Sequence, residues 1–415
     1  MNKFFTQKMN TIKKADLKLK KFVFDLVAIF ALLIVSPVFS QVTYTGNPTN
    51  AAINSLIQGG NVTVSGGTLN RGSRVEQIAT FTGGIPAGLS IANGVYFGTG
   101  KLANDLSINN TPASSQSAMG SSASDINLSS IDPTATRDVV SYSFNVTLGA
   151  QASILYINYQ FGSEEYPDYV GSAFDDAFGF FVTGPGIVGT ANIARLPNGQ
   201  VTTINKVNYG IPGFSSAVIV PAYDGSQSAL YINNGHSTTV VGGKLIQNTN
   251  PGPKPIAVQF NGITKLISYS ISGLTPGATY TFKIAIGDND DTAFDSGVFI
   301  DAIFGSAVIV AVNDTQTISA GSTGVVSVLN NDTVNSSAAT LSMVALSQVS
   351  TTNSGVTLNP ATGLITVAPG TPVGVYSVVY QICDIGAPSI CKTATATITL
   401  STAVKVLKVS SVKSL

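Results

Sequence analysis

Two alternating runs constrain this chain more than anything else in it. In Ile267-Ser268-Tyr269-Ser270-Ile271 apolar residues alternate with serines, and in the next run Tyr280, Phe282, Ile284 and Ile286 alternate with Thr281, Lys283 and Ala285. A period of two marks a strand with one buried face. The turn Thr275-Pro276-Gly277 stands between them, so the two runs are expected to form a half-buried antiparallel pair. Ser153 to Phe161 reads as a third, more fully buried strand. The best helix candidate is residues 48–58: Thr49 or Asn50 can cap it, Ile53, Leu56 and Ile57 share a face, and Gly59-Gly60 stops it. Nearly everything after it reads as short strands and turns, which makes the fold class all-β. Residues 103–136, rich in Ser, Ala, Asn and Asp, read as a long surface loop.

The first 40 residues do not belong to this pattern. Seven lysines lie within residues 1–21, an apolar run from Phe22 to Val35 is broken once by Asp25, and Val38-Phe39-Ser40 is small or neutral where a signal peptidase reads. This is the layout of a secretory signal. Its uninterrupted apolar part, Leu26 to Val35, is too short to span a bilayer, which takes roughly 20 apolar residues. The mature chain is expected to begin near Gln41 and to work outside the cytoplasm, at the cell surface or beyond it. No later stretch is long and apolar enough to cross a membrane.

Removing the seven lysines and two aspartates of residues 1–40 from 21 basic and 21 acidic residues leaves 14 and 19, an acidic mature chain. Such a balance excludes a nucleic-acid partner, which requires clustered Lys and Arg. About 375 residues are too many for one ordinary domain. A boundary falls near Ser306–Asn313. After it, turn signals such as Asn330-Asn331-Asp332-Thr333 and Asn359-Pro360-Ala361-Thr362-Gly363 separate short strands, as in a small immunoglobulin-like sandwich. The expected organisation is therefore a signal (1–40), a large jelly-roll-like β-sandwich with one short N-terminal helix (41–306), an immunoglobulin-like sandwich (307–400) and a tail (401–415). Cys383 and Cys391 are the two cysteines. In an exported chain they are expected to form a disulfide across a hairpin, with free thiols as the alternative.

The acidic residues are unevenly placed. Glu164, Glu165, Asp168, Asp175 and Asp176 lie within 164–176, and Asp288, Asp290, Asp291, Asp295 and Asp301 within 288–301. These ten of the 19 mature carboxylates sit in 27 residues, at the ends of expected strands, with few cations nearby. Crowded carboxylates repel and lose hydration when buried. A hard divalent cation resolves both costs, and Ca²⁺ takes six to eight oxygens from such loops. One or both clusters are expected to bind Ca²⁺, against the alternative of solvated acidic turns. Neither is an EF-hand: Ala293 stands where glycine is required, and no glutamate closes the loop.

The same carboxylates carry the enzymatic alternative, a glycan-processing hydrolase that pairs Glu164 or Glu165 with Asp295 or Asp301. No Gly-x-Ser-x-Gly elbow, His-Glu-x-x-His or phosphate loop is present, and the single histidine, His236, reads as part of a surface turn. A non-enzymatic binding protein is the leading expectation, with an extracellular glycan or a surface or matrix protein as partner.

The stretch Phe161-Gly-Ser-Glu-Glu-Tyr-Pro-Asp-Tyr-Val-Gly-Ser-Ala-Phe-Asp-Asp-Ala-Phe-Gly-Phe-Phe181, continued by Ala285 to Ile300, resembles the signature of the choice-of-anchor L domain of secreted and surface bacterial proteins. The likeness covers roughly residues 48–306. It implies a surface or secreted role and assigns no catalytic residue. Residues 313–400, through Leu329-Asn-Asn-Asp-Thr333 and Thr357-Leu-Asn-Pro-Ala-Thr-Gly363, resemble an immunoglobulin-like repeat of Bacteroidetes-type exported proteins. Such proteins often end in a type IX secretion sorting domain, and no sorting domain or anchor helix is visible after Leu400.

Overall fold

The computed structural model describes residues 40–70, 76–109, 111, 124–324 and 327–401. All of the expected signal but Ser40 and all of the expected tail but Ser401 lie outside the described residues, as do 112–123 of the expected surface loop. From Gln41 onward the chain is one compact unit. It contains two large hydrophobic cores, one drawn from residues 53–303 and one from 307–400.

The first core lies between two antiparallel sheets. Nine strands make the first sheet: β1 (Thr43–Gly46), β3 (Ile78–Thr82), β4 (Asn93–Gly98), β6 (Ile154–Ser163), β10 (Tyr231–Asn233), β13 (Gly262–Thr264), β14 (Ile267–Ser272), β16 (Ser296–Ile300) and β17 (Phe304–Ser306). Its order is β1-β3-β4-β16-β6-β13-β10, with β14 and β17 also paired to β6. The second sheet holds β2 (Val62–Asn70), β5 (Ala135–Leu148), β7 (Ala177–Thr183), β8 (Ala191–Asn192), β9 (Thr202–Thr203) and β15 (Thr279–Asn289). Its order is β2-β5-β15-β7-β8, with β9 beside β7. A small hairpin, β11 (Val240–Val241) with β12 (Lys244–Leu245), stands apart. In both sheets a strand late in the chain sits in the middle: β15 between β5 and β7, and β16 between β4 and β6.

The alternation seen in the sequence sets the inward faces. Tyr142, Phe144 and Val146 of β5, Phe180 of β7 and Phe282 and Ile284 of β15 meet Phe97, Ile157, Phe161 and Val298 of the first sheet. Phe144 stacks on Phe282 with ring centroids 5.9 Å apart, and each buried ring contributes roughly 1.5–3 kcal/mol. The helix α1 (Asn50–Ile57) forms where the sequence places it, capped by the Thr49 hydroxyl accepting from Ala52 N, with Ile53 and Ile57 buried.

Two expectations are corrected. The runs at 267–271 and 280–286 are strands, but they do not pair with each other. β14 pairs with β6 in the first sheet, and β15 lies between β5 and β7 in the second. Period two reports a buried face and is silent on the neighbour. The six residues between these strands are enough to cross the roughly 10 Å between layers, with Leu274 buried in the core as they pass. Within 103–136, Asp105, Leu106 and Leu128 are buried rather than on the surface, a helical turn covers Leu102–Asp105, and β5 begins at Ala135.

The two sheets differ on their outer faces. The first is covered over β3, β4 and β16: rings of Phe81, Tyr96 and Phe299 pack together there, and residues 83–92 lie over them, with Ala257 N donating to Ala87 O and Ser90 N to Gln160 Oε1. Along β14, Ser268, Ser270 and Ser272 are exposed. Among the described residues, the second is covered only at one end, where Leu128, Ile131 and Phe181 form a small cluster with Val139 and Ala285.

The smaller module contains β18 (Ile309–Val310), β19 (Asp314–Ser319), β20 (Thr333–Val334), β21 (Ser337–Ala338), β22 (Val344–Thr351), β23 (Val356–Asn359), β24 (Leu364–Val367), β25 (Gly374–Asp384) and β26 (Cys391–Ser401). Its main sheet runs β19-β26-β25-β22, with β19 parallel to β26. Cys383 and Cys391 are register partners on β25 and β26 and form the disulfide.

Candidate functional site

Four strand ends meet at one end of the large sandwich. β6 runs out at Ser163 into Glu164 and Glu165. Asp175 and Asp176 lead into β7. β15 ends at Asn289, and Asp295 leads into β16. The register locks them together: Ser163 pairs with Ser296, Gly287 with Ala177, and Gly297 with Gly98 of β4. Glu164 N donates to Asp295 O at 3.0 Å, so the two acidic motifs are joined through backbone.

The structure sorts the ten expected ligands. Glu164, Glu165, Asp175, Asp176, Asp288 and Asp295 are buried; Asp168 and Asp291 are half-buried beside them. Asp290 is exposed. Asp301 lies at the far end of β16, roughly 20 Å along the strand from Asp295, and faces Asn158. Of the pairs weighed for glycoside hydrolysis, those with Asp295 have both carboxylates buried, and those with Asp301 fall at opposite ends of a strand.

Several of the buried acids are held by donors. Asp175 Oδ1 accepts from Asn205 N, Asp176 Oδ1 from Asn289 N and Asp176 Oδ2 from the Ser296 hydroxyl. Asp168 Oδ1 accepts from Asn248 N. Asp288 is different: its exposure is 0%, and neither carboxylate oxygen accepts a hydrogen bond. The nearby Thr99 hydroxyl eases its burial in part, but that hydroxyl accepts from Ser296 N and reaches Ser296 O. Glu165 Oε2 and Asn289 Oδ1 are likewise buried without a hydrogen bond.

Burial is the main reason these groups hold their protons. It pushes Asp175 up to about 6 and Asp176 up to about 8, and Glu165 and Asp288 well above the usual carboxylate range. Mutual repulsion adds to it. Asp176, Asp291, Asp175 and Asp168 act on Glu165, and Asp176, Asp295 and Asp138 act on Asp288. The chain supplies acidic oxygens here without a matching cation. Among the described residues, no three His, Cys, Asp or Glu side chains stand as a closed metal-ligand group. The amide oxygen Asn289 Oδ1 lies buried beside these carboxylates.

Two members escaped the sequence reading. Asp105, from the segment read as loop, receives the Tyr96 hydroxyl at 2.7 Å. A Cβ at Gly100 would strike both Asp295 Oδ2 and Asp105 Oδ1, so the chain there is glycine because two carboxylates press against it. Asp138, at the start of β5, is held at φ 45°, a left-handed conformation rare outside glycine. Each is an isolated aspartate in the sequence, and no spacing pattern marks it. His236 is also corrected: it is buried rather than on the surface, with Nε2 2.9 Å from the Tyr231 hydroxyl, and burial lowers its pKa to about 4.

The smaller module has a buried acidic pair of its own. The Tyr380 hydroxyl lies 2.8 Å from Asp314 Oδ2 and 3.3 Å from Asp332 Oδ2, and Asp332 Oδ1 accepts from Val312 N. Burial raises both acids, Asp314 to about 6.

The profile of the choice-of-anchor L domain matches residues 41–304, which takes in every member of the large acidic group. No curated protein matches the chain. Among solved structures, the human desmocollin-1 ectodomain is 12% identical, with a TM-score of 0.19, over 54% of this chain and 33% of that one. A Clostridium perfringens ZmpB structure, comprising its M60 catalytic domain with CBM51-1 and CBM51-2, is 10% identical, with a TM-score of 0.14, over 64% and 19%. The chain thus spans about a third and a fifth of these two, and likeness at such scores carries no argument.

Proposed function

The chain belongs to the choice-of-anchor L domain family, and on that premise we propose that it is an exported surface or secreted binding protein of adhesion type, stabilised by Ca²⁺. The partner in this reading is an extracellular glycan or a surface or matrix protein. The observation that carries the calcium reading is Asp288, fully buried among other carboxylates with both oxygens lacking a hydrogen bond. An unpaired buried charge costs several kcal/mol, and only a proton or a cation removes that cost. Asp288, Asn289, Asp176 and Asp295 would hold one ion, and Glu165 with Asp168, Asp175 and Asp291 would supply oxygens to a neighbouring one. Bound there, the ion would tie the ends of β6, β7, β15 and β16 together and fix the loops between them. Export fits the same picture, because calcium is plentiful outside the cytoplasm and the disulfide of the smaller module persists there.

Thermal unfolding of the protein from Gln41 onward tests this directly. Calcium at about 100 times its Kd adds roughly 2.7 kcal/mol, read as a melting point several degrees higher than in EDTA. An unchanged melting point at millimolar calcium removes the metal from the proposal. Retention on bacterial or host cell surfaces tests the binding role.

A further inference from the structure

Among the described residues, the outer face of the second sheet is bare beyond the small cluster at Phe181, and it carries many hydroxyl groups. The register sets three rows across the strands. Thr63, Thr147 and Thr279 form the first; Ser65, Asn145, Thr281 and Thr183 the second; and Thr68, Ser143, Lys283 and Phe181 the third. Except for Phe181, these side chains are exposed or half-buried. Neighbouring strands stand about 4.8 Å apart and same-face residues about 7 Å apart, so the face is a flat lattice of hydroxyl and amide groups. Part of it is already oriented: the Thr147 and Thr279 hydroxyls are 2.8 Å apart, and the Thr281 hydroxyl donates to Asn145 Oδ1 at 3.1 Å. Its one charged side chain, Lys283, is neutralised by both oxygens of Asp125 at 3.0 Å. At the Phe181 edge the lattice dips into a cavity of about 170 Å³, lined by Phe181, Thr183, Thr190, Thr281, Asn127 and Lys283.

We propose that this face, with the cavity at its edge, binds a neutral polysaccharide. The inference rests on the binding role above and names the surface and the ligand class for it. A neutral lattice offers nothing to nucleic acid, to an acidic polymer or to an anionic membrane. It offers little to an apolar peptide, because it buries almost no hydrocarbon. A chain of sugar rings presents hydroxyls that both donate and accept, as Ser, Thr and Asn do. The cavity has room for one ring, bordered by the Thr183, Thr190 and Thr281 hydroxyls. On the other sheet, residues 83–92 lie over the rings of Phe81, Tyr96 and Phe299.

Retention of the purified protein on particulate cellulose and chitin, with affinity electrophoresis in soluble glucan, tests the proposal. Wild type is expected to bind at least one of these, with little change between low and high salt. Thr281→Lys and Asn145→Lys are expected to weaken binding tenfold or more at an unchanged melting point, and Ser268→Lys, exposed on the first sheet, to leave it intact. Should Thr281→Lys fail to fold, Thr63→Lys on the exposed edge strand β2 replaces it. Binding that survives these substitutions overturns the assigned face. A protein that adheres to cells yet ignores all three neutral polymers, or is captured only by heparin, overturns the ligand class and leaves the adhesion reading standing. A protein that binds neither cells nor polymers overturns both.

Discussion

The two modules bury acidic groups in opposite ways. In the smaller one, Asp314 and Asp332 share the Tyr380 hydroxyl, and Val312 N donates to Asp332, so the pair is closed by the chain's own donors. In the larger one, donors reach Asp175 and Asp176, while the fully buried Asp288 has both carboxylate oxygens without a hydrogen bond. The difference teaches that burial of a carboxylate is not by itself a sign of a ligand. What separates the two is whether hydrogen bonds run out before the oxygens do. The smaller module's acids are structural supports; in the larger module Asp288 keeps two carboxylate oxygens without a hydrogen bond.

The sharpest way to break this comparison is Asp288→Asn. In calcium it should lose the whole metal-dependent gain of roughly 2.7 kcal/mol. In EDTA it should melt at or above the wild type, because a neutral amide replaces an unpaired buried carboxylate. Calorimetry in both conditions reads the sign change, and a variant equally destabilised in both would make Asp288 an ordinary packing residue. Next comes Tyr380→Phe. It removes the hydroxyl between two acids and should cost about 2 kcal/mol whether or not calcium is present. A calcium-dependent loss there would merge the two modules into one case. Asp290→Asn, at the exposed tip of the same loop, should change stability by less than about 0.5 kcal/mol and leave the calcium response intact.

The smallest effect is in the pH profile of the smaller module. Asp314 holds its proton up to about pH 6 in the fold, against a normal value of 3.8. The folded state therefore binds the proton more tightly, and the contribution is full below pH 3.8 and lost as pH rises through 6. His236 works in the opposite sense. Its pKa falls from 6.5 to about 4, so the stability it gives is present above pH 6.5 and lost as pH drops toward 4. Carbon-detected titration of Asp314 and melting curves from pH 4 to 7 distinguish the two.

Much of the fold was legible because it rests on local chemistry. Period two gave the strands at 267–271 and 280–286, Ser153–Phe161 read as a more fully buried third, Thr49 and Gly59 bounded the helix, and the cysteine spacing fitted a hairpin. Partner choice was not legible. Ile267–Ser272 and Thr279–Asn289 look like a hairpin, and only the depth of the core, with Leu274 dropping into it, sends them to different layers. The acidic site was half legible for the same reason. Its dense motifs announce themselves, while Asp105, on a helical turn, and Asp138, on β5, arrive singly and join through the fold alone. The lattice on the second sheet was invisible, since each threonine gains meaning only beside neighbours scores of residues away.

The placing of β15 and β16 in the middle of their sheets has a kinetic consequence. A chain that crosses a membrane N-terminus first presents β4 and β6, and β5 and β7, long before the strands that join them. Neither sheet can close until about residue 300 has emerged. Loop closure over such separations is slow, and partial sheets bury too little to persist. The larger sandwich is thus expected to complete both sheets in one late step.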